Sequence, residues 1–152
     1  MQYKSFMPQA LEEADRAFLK GEVPVGAVIV RAGEIIASAH NLTEQTKNPL
    51  AHAEILAINK ACRALGSMRL NDCELYVTLE PCPMCAGAIL NARLKRLYIG
   101  APDVQYGCCG SAVDLTKILS VNHNIEVYHG IMEAECEARI KQFFQMHRKK
   151  YK

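Results

Sequence analysis

The sequence predicts an α/β fold of three layers, α/β/α, with a central mixed five-stranded sheet and helices on both faces. Three observations carry this. Five short apolar segments have the length and β-branched composition of strands. The segments around them set apolar residues at helical spacing. The two kinds alternate along the chain, which builds a mainly parallel sheet covered on both faces. The 152 residues are one domain's worth, enough for a core without disulfide staples. No repeat, low-complexity run or linker divides residues 1–152, so a single domain is expected.

Residues 3–20 place Phe6, Ala10, Leu11, Ala14, Ala17 and Phe18 at helical spacing, and Gly21 stops that helix. "VGAVIV" (25–30) reads as a buried strand, "RAG" as a turn, and "EIIASAHN" (34–41) as a second strand. These two form a hairpin, the one antiparallel pairing expected. "LAHAEILAINKACRAL" (50–65) is a helix that buries Ile55, Leu56, Ile58, Ala61, Cys62 and Leu65, with Pro49 just before it. "CELYVTL" (73–79) is a strand. "EPCPMC" (80–85) follows and leads into the apolar helix "CAGAILNARL". "RLYIGA" (96–101) is a strand, "DVQYGCCGS" a loop of small residues, and "DLTKIL" a short helix. "IEVYHG" (125–130) is the last strand, and residues 132–149 form a C-terminal helix carrying Phe143 and Phe144.

Composition narrows the function classes. No apolar run approaches the ~20 residues that span a bilayer, so no membrane is expected. The N-terminus carries acidic residues where a secretory signal would be apolar, which makes the cytoplasm the default location. Seven cysteines, an odd number, argue against a disulfide framework and leave thiols as ligands or small core residues. The formal net charge of +2 does not announce a nucleic-acid partner, although the final "HRKKYK" carries four cations and no acid. A tail of this kind is most often a solvated end.

Cys82 and Cys85 sit at a strand-to-helix entry, with Pro83 suited to the helix's first turn. Unpaired N–H groups and the dipole lower thiol pKa values there. Such a pair serves as a redox dithiol, as half of a structural zinc site, or as part of a catalytic metal site. A structural site wants a second close pair, and neither the adjacent Cys108 and Cys109 nor the distant His123 and His129 supplies one. "HAE" (52–54) lies at another helix entry. One His and two Cys make three zinc ligands, and a catalytic zinc keeps its fourth position for water. Glu54 lies where a general base needs to be, near that water. His-x-Glu followed by Pro-Cys-x-x-Cys is the known signature of zinc nucleobase deaminases, and His52, Glu54, Pro81, Cys82 and Cys85 complete it. In such a site hydroxide attacks the amine-bearing carbon while the carboxylate carries protons.

"GEVPVGAVIV", "NPLAHAEILAI", "LYVTLEPCPMCAGAI", "IGAPDVQYG" and "FFQMHRKK" together resemble the bacterial tRNA-specific adenosine deaminases of the TadA type. The resemblance covers about residues 6–148. It implies a cytidine deaminase-like fold, one Zn2+ per subunit, a homodimer, and conversion of adenosine to inosine at the wobble position of a tRNA anticodon. By the same resemblance His52, Cys82 and Cys85 match the zinc ligands and Glu54 the proton shuttle. Asn41 matches the residue that hydrogen-bonds the target base, and Asp103 a loop residue near the RNA. Phe144, Arg148 and Lys149 are RNA-contact candidates in the C-terminal block, where at least one of Phe143 and Phe144 is expected in the core. His147 and Gln105 stand where the family commonly has cations.

The nearest competing reading is a zinc deaminase of a free base or nucleoside (guanine, cytosine or cytidine), which would share every metal residue. A zinc-stabilised RNA-binding protein leaves Glu54 without a use. A redox dithiol leaves both His52 and Glu54 unexplained.

Overall fold

The computed structural model describes residues 4–118, 123–148 and 150. In chain order the elements are α1 (Met7–Leu19), β1 (Gly26–Arg31), β2 (Glu34–His40), α2 (Thr43–Thr46) and α3 (Ala53–Leu65). They continue as β3 (Cys73–Leu79), α4 (Pro83–Asn91), β4 (Arg96–Ala101), α5 (Leu115–Ile118), β5 (Glu126–Tyr128) and α6 (Glu133–Met146).

Two helix starts differ from the sequence expectation. α1 begins at Met7 rather than residue 3, with Pro8 in its first turn, where a missing N–H is tolerated. α3 begins at Ala53 rather than residue 50. The Asn48 side chain accepts the Leu50 N–H at 2.9 Å, a local turn that competes with helix. The short helix α2 was not expected. Its first N–H groups are satisfied from a distance: the fully buried Glu22 carboxylate accepts those of Glu44 and Gln45 at 3.0 and 2.8 Å. No local pattern announces such a cap.

The five strands form one sheet in the order β2-β1-β3-β4-β5. β3, β4 and β5 run parallel, but β1 is antiparallel to β3 as well as to β2. Two antiparallel pairings therefore replace the one expected. The tight turn puts β2 beside β1. The α3 crossover then returns the chain on the other side of β1, parallel to β2 and so antiparallel to β1.

Successive side chains point to opposite faces of a strand, and the strands bury both. Ala27, Ile29, Leu75, Val77, Leu97 and Ile99 belong to the core under α3 and α4. Val28, Val30, Tyr76 and Tyr98 join Phe6, Met7, Ala10 and Cys136 in a second core under α1 and α6. α1 lies directly on the β1 backbone: a Cβ at Gly26 would overlap the Ala10 carbonyl oxygen. Phe143 is fully buried, edge-on to Phe18 with ring centroids 6.1 Å apart.

On this second face three tyrosines occupy one row. Tyr76, Tyr98 and Tyr128 are direct partners across β3, β4 and β5. Their rings stack at 4.3 and 5.2 Å between centroids. In the adjacent row Arg96 spans Glu74 at 3.3 Å and Glu126 at 2.7 Å.

Candidate active site

The site forms at the carboxyl end of β3, where a sheet of this kind opens toward helix N-termini. His52 is the residue before α3 and Cys82 the residue before α4; both have extended backbone (ψ 152° and 176°). Neither side chain caps its own helix, so both are free to turn toward the space between the two helix starts. His52 Nδ1 lies 3.6 Å from Cys82 Sγ and 3.4 Å from Cys85 Sγ. The three ligand atoms lie within 4.8 Å of one another.

This trio can hold a metal ion. Two sulfurs and an imidazole are a zinc donor set. Tetrahedral bonds of about 2.3 Å to sulfur and about 2.0–2.1 Å to nitrogen space such atoms about 3.5–3.8 Å apart, and the two nitrogen–sulfur separations fit. The trio is primed for a cation. The Cys85 thiol hydrogen-bonds Cys82 and, with help from His52, holds the Cys82 pKa down at about 4. The same bond and burial push Cys85 up. A metal bound here takes both sulfurs as thiolates and releases protons.

Glu54, the second residue of α3, is 4 % exposed. Burial first of all raises its carboxyl to about 7, against the pull of its own backbone N–H. Asn41 is also buried. Its Nδ2 donates to the Val23 carbonyl at 3.4 Å and its Oδ1 accepts the Thr43 N–H at 3.3 Å. An amide has two donors and two lone pairs, so one of each remains for a ligand. His52, Glu54, Cys82, Asn41 and Asp103 line one cavity of about 400 Å³, with Val23, Val25, Leu79 and Tyr106 among its other walls. That size suits a single small ligand.

Sequence reasoning missed the residues that hold the walls. Glu22, through α2, supports the Thr43 side. Glu80 supports the Asp103 side: its buried carboxylate accepts N–H groups of Asp103, Cys109 and Ser111 at 3.3, 3.1 and 3.0 Å, and the Ser111 hydroxyl. Gly107 has no room for a Cβ beside Glu80 and the Asp103 carbonyl. The available signal was adjacency, since Glu80 opens the "EPCPMC" segment. Glu80→Ala strips these donors of their acceptor. Hydrogen bonds to a charged group contribute about 1.5–3 kcal/mol each, so the variant should lose about 3 kcal/mol or more. Urea unfolding beside wild type measures this; an unchanged midpoint would refute the wall-holding role.

The structure does not bring every expected residue to the pocket. Phe144 is 38 % exposed on α6, edge-on to Phe143, and Arg148 is exposed beyond the end of α6; neither lines the cavity. Lys149 lies outside the described residues. Lys150 pairs with Glu44 at 3.3 Å, which places this cation beside α2 at the pocket's edge.

Comparison with known proteins agrees with this geometry. The family model of the MafB19-like deaminases matches residues 1–148. The chain is 50 % identical over 147 residues to the tRNA-specific adenosine deaminase of Bacillus subtilis (strain 168), covering 97 % of this chain and 91 % of that protein. A solved structure from studies of A-to-I editing by tRNA:A34 deaminases at the wobble position superposes with a TM-score of 0.81 at 44 % identity, over 88 % of this chain and 97 % of that one. The solved guanine deaminase of Bacillus subtilis is less similar: TM-score 0.64 and 34 % identity, over 98 % and 95 % of the two chains.

Proposed function

Since the chain belongs to the MafB19-like deaminases and resembles their tRNA-specific adenosine deaminases most strongly among these comparisons, we propose that it converts adenosine to inosine at wobble position 34 of a tRNA anticodon. The carrying observation is the meeting of His52, Cys82 and Cys85 beside buried Glu54 in a cavity lined by Asn41. The similarity at 50 % identity supports the tRNA substrate over a free base. The whole chain, residues 1–152, then acts as one deaminase domain with a basic C-terminal helix, and a cytoplasmic location suits its free thiols.

His52 Nδ1, Cys82 Sγ and Cys85 Sγ would hold the ion, one Zn2+ per chain. Zinc supplies, when bound, a water acidic enough to lose its proton near neutral pH. Glu54 would take up that proton and give it to N1 of adenine while C6 gains the water's oxygen. It then serves the C6–N6 cleavage that releases ammonia and leaves inosine. Asn41 orients the base through its remaining donor and acceptor. Asp103 holds the far wall. A wobble adenosine lies in a single-stranded loop, so turning it into a pocket is less costly than in a duplex. Phe144, Arg148 and Lys149 stay candidates for contact with the stem-loop around the target.

A homodimer is part of the same proposal. A shallow groove between α3 and α4, lined by Ile58, Cys62, Met68 and Ala88 among others, supports it as the face for a second copy.

The test uses purified protein on a tRNA with adenosine at position 34, and on free adenosine, cytidine and guanine. Inosine in the tRNA, about one zinc per chain and a dimer mass by sedimentation are expected. Turnover of free guanine with none on tRNA would replace this reading with the free-base one, the activity of the less similar guanine deaminase.

A further inference from the structure

The chemistry above leaves Tyr106 without a role, yet its placement is unusual. It lines the cavity but is 66 % exposed, at the mouth rather than inside. Val104, 78 % exposed, stands two residues before it. Among the described residues its ring meets no other aromatic ring and its hydroxyl makes no hydrogen bond.

The backbone beneath this ring is tied down on both sides. Asp103 Oδ1 accepts the N–H groups of Gln105 and Tyr106, each at 3.1 Å. The Gly107 N–H donates to the Asp103 carbonyl at 2.8 Å, and the Tyr106 carbonyl accepts from the Cys108 thiol at 3.4 Å. Glu80 holds the turn from below through Asp103, Cys109 and Ser111. A large apolar ring is therefore presented to solvent on a fixed support. Aromatic side chains held in this way bind at low entropic cost.

The chemistry of the rim narrows what it meets. Residues 102–113 contain no Lys or Arg, and their one charge is Asp103. Phosphate attraction is therefore not what this segment offers. It offers a flat π-face and an apolar neighbour. Single-stranded RNA is bound through such faces, because every base can stack on them. A cavity for one nucleoside leaves the adjoining nucleotides outside, passing its rim.

We propose that Tyr106 is a stacking platform for the nucleotide next to the target adenosine, a role that rests on the tRNA reading above. It is a specificity contact and takes no part in proton transfer. Since base–aromatic stacking carries much of the hold on a single-stranded nucleotide, Tyr106→Ala should raise KM on an anticodon stem-loop about tenfold, with kcat changed less than about twofold. Tyr106→Phe keeps the π-face and should stay within about twofold of wild type.

The decisive measurement is a cycle with the RNA. Stem-loops carry an abasic nucleotide immediately 5′ or 3′ of the target, and each is assayed with wild type and Tyr106→Ala. On one flank the abasic substitution should erase the difference between the two proteins. Stem-loops with 2-aminopurine at that flank should be quenched by wild type and not by Tyr106→Ala. A penalty that persists with either flank abasic would show Tyr106 to be a wall of the pocket and overturn the proposal. So would an unchanged KM, or Tyr106→Phe behaving like Tyr106→Ala. Wild-type turnover separates the two claims: if it is intact, these results count against stacking alone. Failure of wild type to deaminate any stem-loop overturns the tRNA reading and the stacking role together.

Discussion

Glu54→Gln will lower kcat on the tRNA by about 10²–10⁴-fold, the usual contribution of a positioned general acid–base group, while zinc content stays at that of wild type. Two buried carboxylates line the cavity, and Glu80 is already committed to the N–H groups of Asp103, Cys109 and Ser111, which leaves Glu54 beside the three clustered donors as the proton carrier. Glutamine preserves its shape and removes its basicity. The fold is not expected to suffer, because the amide suits an apolar surrounding better than a charge does. Two results would count against the proton-carrying role: loss of metal in parallel with activity, which would make Glu54 a ligand, or turnover near that of wild type.

Cys85→Ser will lose both metal and turnover. Cys85 is fully buried in the first turn of α4, and a serine hydroxyl there is a poor substitute for a thiolate toward zinc. The effect should extend to stability. A ligand present at about 1,000 times its Kd stabilises the folded state by ~4 kcal/mol, so the variant and chelator-treated wild type should unfold at similar, lowered urea concentrations. Retention of one zinc and full activity by Cys85→Ser would exclude the proposed ligand set. Comparison with Glu54→Gln separates the two roles, since one variant keeps the ion and the other does not.

The clustering of the candidate donors was legible because it is written in short local spacings. His52 and Glu54 are two apart, Cys82 and Cys85 three apart, and each pair opens a helix whose apolar face is itself readable. The strands were legible for the same reason, as compact β-branched runs. What stayed hidden depends on long-range partners. Glu22 reaches across to α2 and Glu80 reaches forward to residues 103–111; a carboxylate in a sequence does not declare that it is buried or what it accepts. The second antiparallel pairing was missed because alternation of elements sets their order along the chain. It does not set on which side of β1 the α3 crossover returns. Among the C-terminal aromatics, Phe143 went to the core and Phe144 to the surface, a choice fixed by how α6 meets α1.

The tyrosine row also bears on how the sheet avoids assembling wrongly. β5 has only three residues, and a strand this short has few ladder bonds to resist sliding along β4. A slip of one position would turn Tyr128 to the opposite face. It would unstack Tyr98 from its neighbour and part Arg96 from Glu126 at once. The correct alignment thus gathers a ring stack and an ion pair that the nearest misalignments forfeit together, so the weakest edge of the sheet carries its own proofreading during folding.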